Sequence, residues 1–86
     1  MTKTVVWGAG QFGRTLCRVL APEYEIVCFT DNDIKKQGAV YFRIPVLPPE
    51  QAFQLEIDAV WIAIMNRSAE QTIRAQLKQL RFSGEV

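Results

Sequence analysis

Eighty-six residues hold one modest hydrophobic core, so the chain is read as a single domain over 1–86. Hydrophobic residues make up 49% and charged residues 22%, as in folded proteins, and ten basic against nine acidic side chains leave a net charge of +1, far below that of a protein tracking nucleic-acid phosphates. The absence of histidine excludes His-based triads, His general bases and His metal sites, and the two cysteines, Cys17 and Cys28, are too few for a disulfide framework or a four-ligand zinc site.

Thr4-Val5-Val6-Trp7 is a β-branched and aromatic run that Gly8 stops, the pattern of a buried strand. Phe12, Leu16, Val19 and Leu20 then fall at i, i+4, i+7 and i+8 and predict a helix, with Arg14 and Arg18 on its other face and an end near Ala21, before Pro22. Tyr24 to Phe29 predicts the second strand, closed by the polar turn Thr30-Asp31-Asn32-Asp33. Ile34 to Phe42 follows neither period, and Lys35, Lys36, Gln37 and Gly38 suggest an exposed, solvated loop. Tyr41 and Phe42 have no evident buried place and are expected to meet a missing domain or a partner subunit.

Ile44-Pro45-Val46-Leu47 is a short third strand that Pro45 confines to an edge or a strand start. Pro48-Pro49-Glu50 opens a helix, because proline suits its first turn and an acid suits the positive end of its dipole. Ala59 to Met65 is unbroken in apolar character, which predicts a strand covered on both faces; at seven residues it is far short of the roughly 20 that span a membrane. Asn66-Arg67 makes the next turn, Ser68 and Gln71 stand at capping-box spacing, and Ile73, Leu77 and Leu80 form one helical stripe. Gly84 begins a connection, and Glu85-Val86 resembles the start of a further strand.

This alternation predicts an α/β fold: a three-layer, Rossmann-like open parallel sheet of about four to five strands with helices on both faces. The chain stops where a doubly wound domain would continue, so it is expected to be a module of a longer protein. An edge strand left open favours a homodimer. No signal-peptide core follows Met1, which makes the cytoplasm the expected location, with no membrane partner.

Gly8-Ala9-Gly10-Gln11-Phe12-Gly13 matches G-x-G-x-x-G between a predicted strand and a predicted helix, the context that the motif needs. Gly8 allows the tight turn, Gly10 lets backbone approach a pyrophosphate, and Gly13 lets helix and strand pack closely. N–H groups of Ala9 to Phe12 would then face the phosphates. The weaker reading is a tight turn with an empty anion site. Asp31 stands 18 residues beyond Gly13 at the end of the second strand, where a carboxylate accepts both ribose hydroxyls and repels a 2′-phosphate. NAD is therefore the expected cofactor, in preference to NADP. Alternatively, Asp31 organises only its own turn with Asn32 and Asp33.

Arg14 is a second phosphate candidate or an exposed helix arginine. Asn66 is placed at the carboxyl edge of the sheet, where it would line the far half of the ligand, whereas Ser68 reads as the helix cap. Trp7 and Trp61 read as core, and both cysteines as small buried hydrophobes. No metal ligands and no catalytic constellation are found, and no general base stands out.

The stretches Val6 to Arg14, Phe29 to Asp33, Ile44 to Val46 and Asp58 to Ile64 resemble a Rossmann-like domain of bacterial sugar-modifying proteins. Three contexts share that order. They are the N-terminal region of polysaccharide-type nucleotide-sugar epimerases and dehydratases, the N-terminal domain of left-handed β-helix sugar O-acyltransferases, and a domain attached to FkbM-type methyltransferases and some glycosyltransferases. Gln11 and Phe12 stand where the acyltransferase form carries a further glycine and a histidine. Arg14 resembles the epimerase form, whereas Asp31-Asn32-Asp33, Gly38 and Ile44 to Pro48 resemble the methyltransferase-associated one. The resemblance implies Gly8, Gly10, Gly13 and Asp31 as contacts to a nucleotide or nucleotide-sugar, and a catalytic domain elsewhere. A structural or regulatory domain without nucleotide is the competing class, and S-adenosylmethionine binding a third.

Overall fold

The computed structural model describes residues 1–86. Its elements are β1 (Thr2–Trp7), α1 (Gln11–Leu20), β2 (Tyr24–Thr30), β3 (Val40–Tyr41), β4 (Ile44–Leu47), α2 (Pro49–Ala52), β5 (Ala59–Ile62) and α3 (Arg67–Gln79). They build one five-stranded sheet in the order β3-β4-β2-β1-β5. The pairs β1–β2, β1–β5 and β2–β4 are parallel, and β3 alone runs antiparallel, against β4. Glu85 makes a single parallel bridge to Ala59.

β1 lies inside the sheet, and strand alternation sends its side chains into two cores. Val5 and Trp7 join Cys28, Val60, Ala52 of α2 and Ile73 and Leu77 of α3 on one face. Val6 joins Phe29, Val46 and Cys17 and Leu20 of α1 on the other. Helices therefore cover both faces, and the architecture is the Rossmann-like α/β sandwich expected. No helix is long and apolar enough to cross a membrane.

Three expectations change. In α1 the buried stripe is Gly13, Cys17 and Leu20, while Phe12 is 47% and Val19 69% exposed. Leu20 is buried and Leu16 packs against the core as the periodicity expects, but Gly13 and Cys17 stand there in place of Phe12 and Val19, so the buried face is rotated away from the predicted stripe. Trp61 is 38% exposed, packed edge-on to Tyr24 at 6.0 Å. β5 is the last full strand of the sheet, so Trp61 is left partly uncovered there although Ala59, Val60 and Ala63 are buried. The stretch expected to be loop contains β3, which joins β4 through Phe42 and Arg43, both at positive φ (54° and 65°). Pro45 accordingly sits at the start of β4 but not on the outer edge.

Tyr41 is half-buried, its ring edge-on to Phe29 at 6.0 Å, so this chain itself supplies its packing. Phe42 stays 55% exposed.

Candidate functional site

β2 lies on one side of β1 and β5 on the other, so the chain reverses its direction of travel across the sheet beside β1. Open α/β sheets bind ligands at such a switch point, outside the carboxyl ends of the strands. The segments that meet there are Gly8–Gly13, Asp31–Gln37 and Ala63–Asn66.

The three loop glycines answer to different constraints. Gly8 has φ of 121°, and a Cβ on it would lie 2.7 Å from the Ala63 carbonyl oxygen. A Cβ on Gly13 would lie 1.7 Å from the Gly8 carbonyl oxygen. Both glycines are therefore demanded by the fold, as turn and as close helix–strand contact. Gly10 is demanded by neither: its φ of −79° suits any residue, and its Cβ would meet only the Lys36 ammonium, at 3.6 Å. It caps α1 without a side-chain acceptor, and no acid occupies the first turn. The first N–H groups of a helix have no partner within it, so this end of α1 presents donors and positive dipole over an open space.

Asp31 is buried, at 9% exposure. One carboxylate oxygen accepts the Ala9 N–H and the other the Asp33 N–H, each at 2.9 Å. Ala9 was expected to turn its N–H toward phosphate. Instead the Asp31 carboxylate holds it, since a buried carboxylate needs donors and the Ala9 N–H is one of the two within reach. Asp31 thus organises its own turn with Asp33, one of the two roles expected of it, and its carboxylate stands beside the glycine loop. Gln37 donates its side-chain amide to the Asp31 carbonyl at 2.9 Å, which ties the 33–37 turn to the strand end.

Lys36 is the residue that sequence reasoning missed. Read as a solvated loop residue, it is folded back by a turn in which its N–H donates to the Asp33 carbonyl at 2.9 Å. Its ammonium then lies 3.9 Å from the Asp31 carboxylate, over the Gly10 position. The only signal in the sequence was a short polar turn that returned the chain toward its own strand. Arg14 is directed elsewhere: its Nε donates to the Gly10 carbonyl at 3.4 Å, and its guanidinium lies 4.7 Å from the centre of the Tyr41 ring. Gln11 and Phe12 are exposed at the mouth of the loop.

On the α3 side, Trp7, Asp31, Asn32, Ile64, Ala69, Thr72 and Ile73 enclose a crevice of about 310 Å³. Asn32 and Gln76 exchange two amide hydrogen bonds, at 2.8 and 3.0 Å, and fix its rim. Asn66 is exposed at the foot of α3 and accepts the Ala69 N–H at 3.1 Å. It is the helix cap; Ser68, expected in that role, is already inside the helix. No group of three His, Cys, Asp or Glu side chains is arranged to hold a metal. Burial pushes the thiols of Cys17 and Cys28 above their ordinary range, Cys28 to about 12, so neither is a thiolate nucleophile at neutral pH.

A family model described as C2185-like, N-terminal matches residues 1–85, and the chain belongs to that family. Solved structures share the fold. UDP-D-quinovosamine 4-dehydrogenase from Vibrio fischeri superposes with a TM-score of 0.79 at 24% identity, over 92% of this chain and 71% of that one. The Rex-family repressor RSP, in complex with β-NAD+ and operator DNA, superposes with a TM-score of 0.75 at 18% identity, over 93% of this chain and 40% of its own. RSP in complex with β-NADH gives 0.73 at 18% identity, over 93% and 42%. No curated protein matches the sequence.

Proposed function

We propose that this member of the C2185-like N-terminal family is a nucleotide-binding module that takes NAD(H). The pyrophosphate lies on the N–H groups of Gly10, Gln11 and Phe12, and the adenosine ribose donates to Asp31. Asn66 borders the far end of that ligand, whereas Arg14 is turned to Tyr41 and the Gly10 carbonyl and takes no part in holding it. The observation that carries the reading is the bare backbone at Gly10, approached only by the flexible end of Lys36: the fold accounts for Gly8 and Gly13, and a ligand backed against that backbone accounts for the third glycine. The RSP complexes, with the same fold, hold NAD+ and NADH.

Within a longer protein, such a module serves a catalytic domain of bacterial sugar or polysaccharide modification. The nucleotide-sugar named for the Vibrio fischeri enzyme is consistent with that setting. The module supplies binding and no reacting group of its own. A net charge of +1 favours a small ligand over a nucleic-acid backbone. Two unpaired, buried cysteines fit a reducing cytoplasm.

One observation favours a domain without nucleotide: both Asp31 oxygens already accept backbone N–H groups. Each oxygen keeps a further lone pair for a ribose hydroxyl, so the site remains competent. Calorimetric titration with NAD, NADP, a UDP-sugar and S-adenosylmethionine separates the readings. Saturable NAD binding, weakened by about 1–3 kcal/mol in a folded Asp31→Ala variant, is expected. Silence toward the whole panel would leave an assembly domain with an empty loop.

A further inference from the structure

Resting on the NAD reading above, we infer that Lys36 is the phosphate-binding cation of the site, standing between Asp31 and the pyrophosphate and paired with both. A pyrophosphate landing on the Gly10–Phe12 donors arrives beside a carboxylate, because Asp31 is bonded to the Ala9 N–H at 2.9 Å and is 9% exposed. Like charges at that range repel strongly where solvent screening is poor. A cation between the two removes the conflict, and Lys36 is the residue so placed, 3.9 Å from Asp31 and 3.6 Å from where a Gly10 Cβ would be.

Its geometry suits a bridge. At 3.9 Å the ammonium is ion-paired with the carboxylate but beyond hydrogen-bonding distance from it, so its N–H donors stay free for a phosphate oxygen. The main chain beneath it is fixed by the Lys36 N–H to Asp33 carbonyl bond and by the Gln37 bond to the Asp31 carbonyl, whereas the four-carbon stem remains free. Arg14 does not compete for the role, since Tyr41 and the Gly10 carbonyl hold its guanidinium.

The test is titration of wild type, Lys36→Met and Lys36→Arg with adenosine, ADP and NAD, followed by calorimetry for the tight ligands and by amide-resonance shifts for adenosine. Lys36→Met is expected to weaken ADP and NAD about 10-fold or more, the loss of one charge-assisted contact. Adenosine should change less than about 2-fold, since it has no phosphate, and Lys36→Arg should restore most of the ADP affinity. Unchanged ADP and NAD binding in a folded Lys36→Met protein overturns the inference and leaves the NAD reading standing. An equal loss for all three ligands also overturns it, because Lys36 would then act through the shape of the loop. Wild-type silence toward ADP and NAD removes the NAD reading and this inference with it.

Discussion

Replacing Gly13 and Gly10 separately by alanine should divide the glycine loop into a part the fold needs and a part it does not. An alanine methyl at position 13 would lie 1.7 Å from the Gly8 carbonyl oxygen, so α1 must retreat from β1 by about 1.3 Å to reach even the 3.0 Å floor for such contacts. That retreat loosens Cys17 and Leu20 against Val6 and Phe29 in the same core. Backbone against backbone cannot relax by a rotamer change, so the cost belongs at the upper end of overpacking, about 3 kcal/mol or more. For a domain of this size that lowers the melting temperature by roughly 12 °C or more. At position 10 the methyl meets only the flexible end of Lys36 at 3.6 Å, and φ of −79° is already suited to alanine. A poorer helix cap and a stiffer unfolded chain nearly cancel, leaving about 0.5 kcal/mol either way. The same methyl stands where phosphate must lie, so NAD affinity should fall at least about 10-fold. Thermal melts by circular dichroism and calorimetric titrations of both variants read these effects. A Gly10→Ala protein destabilised as much as Gly13→Ala would refute the reasoning, because the space at Gly10 would then belong to the fold.

Other perturbations test neighbouring details. Asn66→Ala should cost about 1 kcal/mol in urea titrations by removing the cap of α3, whereas Ser68→Ala should be near neutral; the reverse order would restore Ser68 as the cap. Arg43→Gly should stabilise the protein by about 1 kcal/mol, since φ of 65° costs an L-residue but not glycine, and a lower melting temperature would mean that the arginine side chain makes a compensating contact. Cys28 keeps its proton up to about 12 in the folded state, against an ordinary value of 9.0. The unfolded chain thus ionises first, and the contribution present below pH 9 is lost as pH rises toward 12, by at most about 1.4 kcal/mol per pH unit. Urea midpoints measured from pH 8 upward should fall less steeply in Cys28→Ala, and parallel curves for the two proteins would rule this out.

The local elements could be read directly from the chain. Thr4 to Trp7, Tyr24 to Phe29 and Ile44 to Leu47 carry strand propensity between clear stops, and Gly8 to Gly13 with Asp31 at a strand end marks the crevice. Such signals are short-range: each depends on the conformations open to a few consecutive residues. The rotation of α1 was not legible, because the residue that touches the strand is glycine and has no hydrophobic signature. Trp61 looked like core because covering a strand on both faces depends on its neighbours in the sheet, and β5 has a full neighbour on only one side. Nor did the sequence mark Lys36 for the site. Its ammonium reaches Asp31 and Gly10 only because the 33–37 turn folds back against β2, held by backbone hydrogen bonds to the Asp33 carbonyl and by the Gln37 side-chain amide on the Asp31 carbonyl. Composition and spacing determine which segments become strand, helix and glycine turn; which charges face one another across loops distant in sequence depends on the packing that brings those loops together.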